Sequence, residues 1–192
     1  MRIMLAAALA FGAAAPAAAA TYAIDATHST VGFRVRHFVA KTSGRFTQFG
    51  GTIEYAEGKP ASWKVEATID PASINTDNEK RDGHLKSPDF FDVEKCPAMG
   101  FKSTKVTDFK DGAGKLHGDL TMHCVTKPVV LDLEVGGVQG AKAGFSAKGK
   151  IARKDFGIVW NRALDNGGAV LGEEVEVTLD IEADEVKAPA KK

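Results

Sequence analysis

Features that define several large classes of protein are scarce in this sequence. Of its 192 residues only two are cysteine, two tyrosine and two tryptophan, and 25 basic side chains balance 25 acidic ones. A nearly neutral chain with so few stacking rings offers no basic face to a nucleic acid, so no nucleic-acid partner is expected. The cysteines and histidines have none of the spacings of metal ligands, so we expect no metal and no other cofactor.

Motifs of catalysis are missing as well. No G-x-S-x-G nucleophile elbow occurs, and no histidine lies at a spacing that would orient a serine. His28, Asp82, His84 and Asp155 are the residues available for acid–base work, but nothing in their spacing favours a reaction. We therefore expect a protein that is not an enzyme, and we assign no catalytic residue.

The first twenty residues are predicted to be a secretory signal peptide. A positive charge at Arg2, an apolar stretch over 3–12 and small residues at 18–20 form the pattern of a segment that is cleaved on export. Cleavage would leave one domain, residues 21–186, followed by a short basic tail, 187–192, that is predicted to be disordered.

Export places Cys96 and Cys124 in an oxidising compartment, where a disulfide can persist. If the segments 97–109 and 115–124 pair as a hairpin, both cysteines fall near the same end of it. Whether they can be bridged depends on how the chain bends before Pro97. The spacing leaves two alternatives, a disulfide and a pair of free thiols.

From Tyr22 onward apolar residues alternate with polar or charged ones, which is typical of half-buried strands. Val65, Ala67 and Ile69 are a clear example, and about eight such segments follow one another, with the first turn predicted at 41–44. A charged outer face excludes a parallel sheet and also a barrel embedded in an outer membrane. A two-layer sandwich and a closed up-and-down barrel remain, and long strands joined by sequential hairpins favour the barrel.

One irregular segment, residues 71–97, lies between the third and the fourth strand. A short helix is predicted to begin near Asn78, because Asp or Asn is a good N-cap, and Pro88 limits its length. Phe90 and Phe91 should then pack on the apolar surface of the strands. The predicted fold is all-β, an eight-stranded antiparallel up-and-down barrel with a short helical segment between the third and fourth strands.

The interior of such a barrel is either filled by side chains or wide enough for one small ligand. Large inward-facing residues alternate with small ones such as Gly118 and Gly149, which leaves volume unfilled. In one alternative, the rings of Phe90, Phe91 and Phe156 plug these gaps. In the other, the bore holds a long apolar guest, because an empty cavity of that size would cost stability.

A series of motifs runs through the chain in a fixed order. The central and most specific one is Arg81-Asp82-x-His84-Leu85-x-Ser87-x-Asp89-Phe90-Phe91-Asp92-Val93. The others are Tyr22-Ala-Ile-Asp25-x-x-His28-Ser29, Phe33-x-Val-x-His37, Gly44-x-Phe46-x-x-Phe49-x-Gly51, Phe101-x-Ser103-Thr104, Gly118-Asp119-Leu120-Thr121, Val125-Thr126-Lys127-Pro128-Val129 and Arg153-x-Asp155-Phe156-Gly157. In these motifs the sequence resembles the YceI-like family, from whose pattern it departs at Cys96 and Cys124.

The resemblance implies a periplasmic, lipocalin-like barrel that binds or transports a polyisoprenoid or other long-chain lipid. The alternative is a non-enzymatic periplasmic interaction protein with a side-chain-filled barrel, and an exposed loop at Trp160 would allow a homodimer. No stable membrane insertion is expected. The apolar residues expected to contact the ligand are Phe33, Val35, Phe46, Val65, Ile69, Phe90, Phe91, Phe101, Leu120, Met122, Leu133, Phe145, Ile151, Phe156, Val177 and Leu179.

Five polar residues of two motifs form a second group. Arg81, Asp82, His84, Arg153 and Asp155 have two possible roles. They would either bind the polar head of the ligand or form two Arg–Asp couples that pin the helix against the loop after the seventh strand.

Overall fold

The computed structural model describes residues 19–163 and 170–187. Most of the predicted signal peptide and of the predicted tail therefore lies outside the described residues. No helix among the described residues is long and apolar enough to cross a membrane. The strands are β1 (Ala20–Ile24), β2 (Thr30–His37), β3 (Ala40–Phe46), β4 (Phe49–Tyr55), β5 (Lys64–Ile69), β6 (Ile74–Asn75), β7 (Met99–Lys110), β8 (Ala113–Met122), β9 (Val125–Gln139), β10 (Lys142–Ala152) and β11 (Leu171–Glu185), and the helix is α1 (Glu79–Lys86).

Backbone pairing closes these strands into a barrel. Along one edge β11 pairs with β10, and along the other it pairs with β2 through residues 171–180 and with β1 through residues 183–185. Because β1 and β2 lie on the same side of β11, they act as one long strand that is interrupted at 25–29. β3 pairs with β2 and β4 pairs with β1, so these two form a second long strand, interrupted at 47–48.

The remaining strands complete the ring. β5 pairs with β4 and β6 with β3, so together they form the third long strand. The five strands β7 to β11 follow, each antiparallel to its neighbour in sequence. The result is a closed up-and-down barrel of eight long strands with α1 between the third and the fourth. The predicted fold class is confirmed.

The break between β1 and β2 is built by the side chains of the first motif. An oxygen of Asp25 accepts a hydrogen bond from the N–H of Thr27, and its other oxygen lies 2.6 Å from His28 Nδ1. The contact between the two side chains lowers the pKa of Asp25 and raises the pKa of His28. Ser29 Oγ both donates to the carbonyl of Glu182 and accepts from its N–H, which satisfies β11 where the ladder is interrupted.

Aromatic rings close one end of the barrel. The Trp63 indole donates to the carbonyl of Ala56 and packs against Tyr55 and Phe109, with ring centroids 4.7 and 4.8 Å away. Phe145 packs edge-on against Tyr55, at 5.5 Å. We call Tyr55, Trp63, Phe109 and Phe145 the aromatic floor.

Residues 76–98, which we call the cap, cover the opposite end. The third and fourth strands separate beyond the pair formed by Ile69 and Met99, and the cap fills the space between them. The ring of Phe91 lies 5.7 Å from that of Phe46 on β3. Other apolar cap residues pack with residues of β2, β8 and the start of β11, so the cap lies across the mouth of the barrel.

A disulfide joins the cap to the barrel. Cys96, near the end of the cap, is bonded to Cys124 in the two-residue turn between β8 and β9. Both turn residues, His123 and Cys124, have left-handed backbone conformations, with φ of 50° and 58°, and such turns usually contain Asn and Gly. Of the two alternatives for the cysteines, the structure contains the disulfide.

Inward-facing glycines allow large side chains to lie flat against the barrel wall. A Cβ atom on Gly118 would lie 2.4 Å from the ring of Phe101, so this ring occupies the space that a side chain would need. The wall is therefore apolar while the centre of the bore stays open. The two further pairs of this kind are Gly44 with Phe33 and Gly149 with Leu131, at 2.4 and 2.6 Å.

Removing the disulfide should destabilise the protein. The bridge links residues separated by 28 positions, and closing a loop of that length corresponds to about 3.5 kcal/mol of unfolding free energy. We expect the double variant Cys96→Ser/Cys124→Ser to lose about this amount in urea denaturation. A reductant should destabilise the wild type similarly and leave the double variant unchanged. Equal stability of the oxidised wild type and the variant would contradict this expectation.

Substitution of Gly118 by alanine should force the Phe101 ring off the wall and into the bore. The new Cβ would also lie 2.7 Å from the carbonyl oxygen of Lys102, which cannot move away as a side chain can. We expect a loss of about 1–3 kcal/mol of unfolding free energy. Gly100→Ala is the matched control, because its Cβ would meet only a carbonyl oxygen, that of Ala67, at 3.8 Å. Equal losses in the two variants would show that the ring is not the cause.

Candidate functional site

A cavity of about 360 Å³ lies inside the barrel between the aromatic floor and the cap. This volume is within the range of roughly 300–1,000 Å³ that is typical of ligand pockets. Aliphatic and aromatic side chains from all eight long strands and from the cap line most of it. The protein's own side chains therefore do not fill the barrel.

Fifteen of the sixteen apolar residues expected to contact a ligand line this cavity. The exception is Phe156, which is 1% exposed but does not line the cavity. It ends the short 3₁₀ turn Arg153–Phe156 that follows β10, where strand alternation no longer applies. The fifteen are Phe33, Val35, Phe46, Val65, Ile69, Phe90, Phe91, Phe101, Leu120, Met122, Leu133, Phe145, Ile151, Val177 and Leu179.

The rings expected to plug the gaps in the wall do not do so. Phe101 and Leu131 already occupy the spaces beside Gly118 and Gly149. Phe90 and Phe91 line the cavity from the cap, and Phe156 does not reach it. The small wall residues Ala67 and Ala147 also line the cavity and leave its centre unoccupied by side chains.

The arginine and histidine side chains of the lining belong to one end of the cavity. Arg81 and His84 come from the cap, Arg153 comes from the turn after β10, and His37 ends β2 at the same rim. At the floor the lining is aromatic, and burial raises the pKa of Tyr55 above its ordinary value, so this hydroxyl stays neutral. The cavity is thus apolar along most of its length and polar beneath the cap.

The two expected Arg–Asp couples between the helix and the loop after the seventh strand are not formed among the described residues. Arg81 and Asp82 have no salt bridge with Arg153 or Asp155. Both bind Thr76 instead. Arg81 donates from Nε to the Thr76 hydroxyl and from Nη2 to the Thr76 carbonyl, each at 2.7 Å. An oxygen of Asp82 accepts hydrogen bonds from the N–H and the hydroxyl of the same threonine. One buried threonine after β6 therefore holds the helix in place.

Arg153 and Asp155, the loop members of the expected couples, do not bind the helix residues Arg81 and Asp82. Arg153 is 3% exposed, and its guanidinium donates to three backbone carbonyls, those of Gly172, Ile158 and Trp160, each at 2.8 Å. Asp155 is exposed and has no salt bridge with any residue that the structure describes. Burial lowers the pKa of Arg153, but a guanidinium remains protonated in proteins.

His84 lies in an aromatic cluster at the cap. Its Nε2 is 2.8 Å from a carboxylate oxygen of Asp89. Its ring meets those of Phe90 and Trp160 edge-on, with centroids 5.0 Å away in both cases. Trp160 is therefore half-buried and lines the cavity, whereas its neighbour Val159 is 65% exposed; the homodimer stays a prediction.

Thr76, Ile158 and Leu171 line the cavity but were absent from the residues expected from sequence. None of them lies in an alternating strand pattern that would have indicated it. Thr76 and Ile158 are in irregular segments, and Leu171 begins β11 before its regular pairing with β2 resumes at Val175. Only the proximity of Thr76 to the central motif offered a signal.

Known proteins share both the sequence pattern and the barrel. Residues 22–183 match the model of the YceI-like domain. Protein YceI of Escherichia coli is 40% identical over 178 residues, which cover 88% of this chain and 89% of that protein.

Solved structures agree with these matches. The YCEI protein of Campylobacter jejuni superposes with a TM-score of 0.67 and 33% identity, over 78% of this chain and 88% of that one. A polyisoprenoid binding domain from Saccharophagus degradans has the same fold, with a TM-score of 0.67, 16% identity and coverage of 86% and 98%. The chain therefore belongs to the YceI-like family, whose domain it matches from Tyr22 in β1 to Ala183 in β11.

Proposed function

We propose that this protein is a periplasmic, non-enzymatic carrier that holds a polyisoprenoid or another long-chain lipid inside its barrel. The observation that carries the proposal is the apolar cavity of about 360 Å³, which the protein's side chains leave unfilled. A barrel domain of the same fold from Saccharophagus degradans, described as polyisoprenoid binding, is consistent with it.

Burial energies favour a long chain over a small apolar molecule. Each buried methylene contributes about 0.8 kcal/mol, whereas association costs roughly 4–15 kcal/mol in lost freedom of motion. A tail of about ten methylenes is therefore needed before the gain exceeds a typical cost. A long tail also fills a space whose emptiness would otherwise reduce stability.

The distribution of polar groups orients the ligand in this proposal. The tail contacts the fifteen apolar lining residues and points to the aromatic floor. The polar head lies beneath the cap, where Arg81, His84 and Arg153 line the cavity. Asp82 and Asp155, which do not line it, have no contact with the ligand in this arrangement.

The alternative, an interaction protein with a filled barrel, has less support. The cavity argues against a filled interior, and several charges on the outer face are paired with each other across strands. Examples are Lys41 with Glu176 at 2.6 Å and Lys102 with Glu66 at 2.7 Å. Such pairs mix the two signs of charge on the described part of the outer face, which does not favour a partner of one charge.

The periplasmic location in the proposal draws on two features. The amino-terminal pattern is that of a cleaved signal peptide, and the bond between Cys96 and Cys124 suits an oxidising compartment.

Filling the cavity should reduce the amount of lipid that copurifies. In Ala67→Trp the indole would enter the bore and displace at least two methylenes of the tail, so we expect about tenfold weaker binding. Thr68→Trp is the matched control, because Thr68 is exposed on the outside of the same strand. Native mass spectrometry and organic extraction of the purified proteins measure lipid occupancy, and thermal unfolding verifies the fold. Wild-type protein without any lipid, or equal occupancy in both variants, would refute the proposal.

A further inference from the structure

The guanidinium of Arg153 has donors that the protein does not use. Arginine carries five N–H groups. One on Nε binds the carbonyl of Gly172, and two on Nη1 bind the carbonyls of Ile158 and Trp160. Both remaining N–H groups belong to Nη2, which is buried and has no hydrogen-bond partner among the described residues. Unsatisfied buried donors are rare because each loses its hydration without compensation.

The positive charge of Arg153 also has no salt-bridge partner within the described part of the chain. The nearby carboxylate of Glu173 acts on it electrostatically but forms its salt bridge with Lys154 on the surface. Three carbonyl dipoles stabilise the cation further, but a buried charge without a directly bonded opposite charge is costly.

The position of Arg153 connects this unsatisfied group to the cavity. Arg153 lines the cavity at its polar end, together with Trp160 and Leu171. The carbonyl contacts of Nε and Nη1 are sufficient to hold the turn after β10 against β11. They do not explain why Nη2, the one nitrogen not bonded to a carbonyl, remains without an acceptor beside the cavity.

We propose that the lipid carries an oxyanion, a carboxylate or a phosphate, as its head and that Nη2 of Arg153 binds this oxyanion. This inference rests on the proposed function and adds the chemical class of the head. An oxyanion supplies both the missing acceptor and the missing negative charge, whereas a neutral amide or hydroxyl supplies only the acceptor. Charge-assisted hydrogen bonds are roughly twice as strong as neutral ones, and an apolar cavity strengthens the attraction between charges.

Arg81 is a weaker candidate for the same role. Its side chain also lines the cavity, but the residue is exposed and its Nε and Nη2 are already bonded to Thr76. An ion pair formed by an exposed arginine contributes little to affinity because water screens it. The selectivity for an anionic head is therefore assigned to Arg153.

A comparison of matched lipids tests the inference on the wild-type protein. Oleate and oleamide share one tail and differ in head charge, as do geranylgeranyl phosphate and geranylgeraniol. After removal of copurified lipid, calorimetric titration at pH 8 measures the dissociation constant of each. We expect the anionic lipid to bind at least about tenfold more tightly than its neutral partner in one pair or in both. A difference in the oleate pair indicates a carboxylate head, and a difference in the geranylgeranyl pair indicates a phosphate head.

The remaining outcomes of this comparison distinguish the two proposals. Equal affinities within both pairs would overturn the assignment of an anionic head and leave the lipid carrier standing. Failure of all four lipids to bind would overturn both.

Substitution of Arg153 locates the selectivity. Arg153→Gln should weaken the binding of the anionic lipid by about tenfold or more and change the binding of its neutral partner little. Lys154→Gln is the control, because it removes the adjacent surface charge outside the cavity and should preserve the ratio. If Arg153→Gln has the same ratio of anionic to neutral lipid affinity as the wild type, Arg153 is not the residue that binds the head. Its melting temperature is measured alongside, and the wild-type comparison is independent of whether this variant folds.

Discussion

The pairing of β11 with both halves of the interrupted first strand is the constraint on which the structure depends. It removes the free edges that an open sheet of these strands would have, and it forces every second residue of all eight long strands into one enclosed space. Side chains at Asp25, His28 and Ser29 preserve this closure across the break in the first strand, because Ser29 replaces a backbone partner of Glu182. A motif that looks catalytic by composition is therefore part of the wall.

Enclosure alone does not produce a cavity, since eight strands can also be filled. The space stays open because glycine and large residues are paired across neighbouring strands. Phe33, Phe101 and Leu131 each cover a glycine and turn along the wall and not toward the axis. The polar groups are concentrated beneath the cap, where irregular segments supply them, whereas the regular strands supply an apolar lining. A wall of strands and a rim of irregular segments thus divide the cavity into an apolar length and a polar end.

The fold was predictable because alternation persists through local interruptions. Residues such as Val65, Ala67 and Ile69 face the same side of the sheet wherever the hairpin turns lie. The barrel, the position of the helix between the strands and most of the cavity lining can therefore be predicted from the alternation of apolar and polar residues. The first turn was predicted wrongly, at 41–44. Those residues lie in β3, and the exposed Phe38 and Val39 form the turn instead. Pairing of β3 with β2 in this hairpin outweighs the turn preference of Ser and Gly there.

The polar residues were less predictable, since their partners are backbone groups brought together only by the fold. One Arg and one Asp in the helix and one of each in the loop suggest two couples between these segments, yet Arg81 binds Thr76 and Arg153 binds carbonyls from two separate segments. The residue types in the sequence do not indicate either set of hydrogen-bond partners. Phe156 was misassigned for a related reason, because a 3₁₀ turn starts one residue after the last residue of β10.

The covalent link between Cys96 and Cys124 has a consequence for how molecules pass the mouth. It attaches the later part of the cap covalently to the rim of the barrel at the β8–β9 turn. This side of the cap is therefore fixed. The helix on the other side is held by hydrogen bonds to Thr76 and by packing of the His84 ring against Phe90 and Trp160, all of which are reversible. With the bridge intact, the cap stays attached at the β8–β9 turn, and its helix side, next to β3, is the part that non-covalent contacts hold.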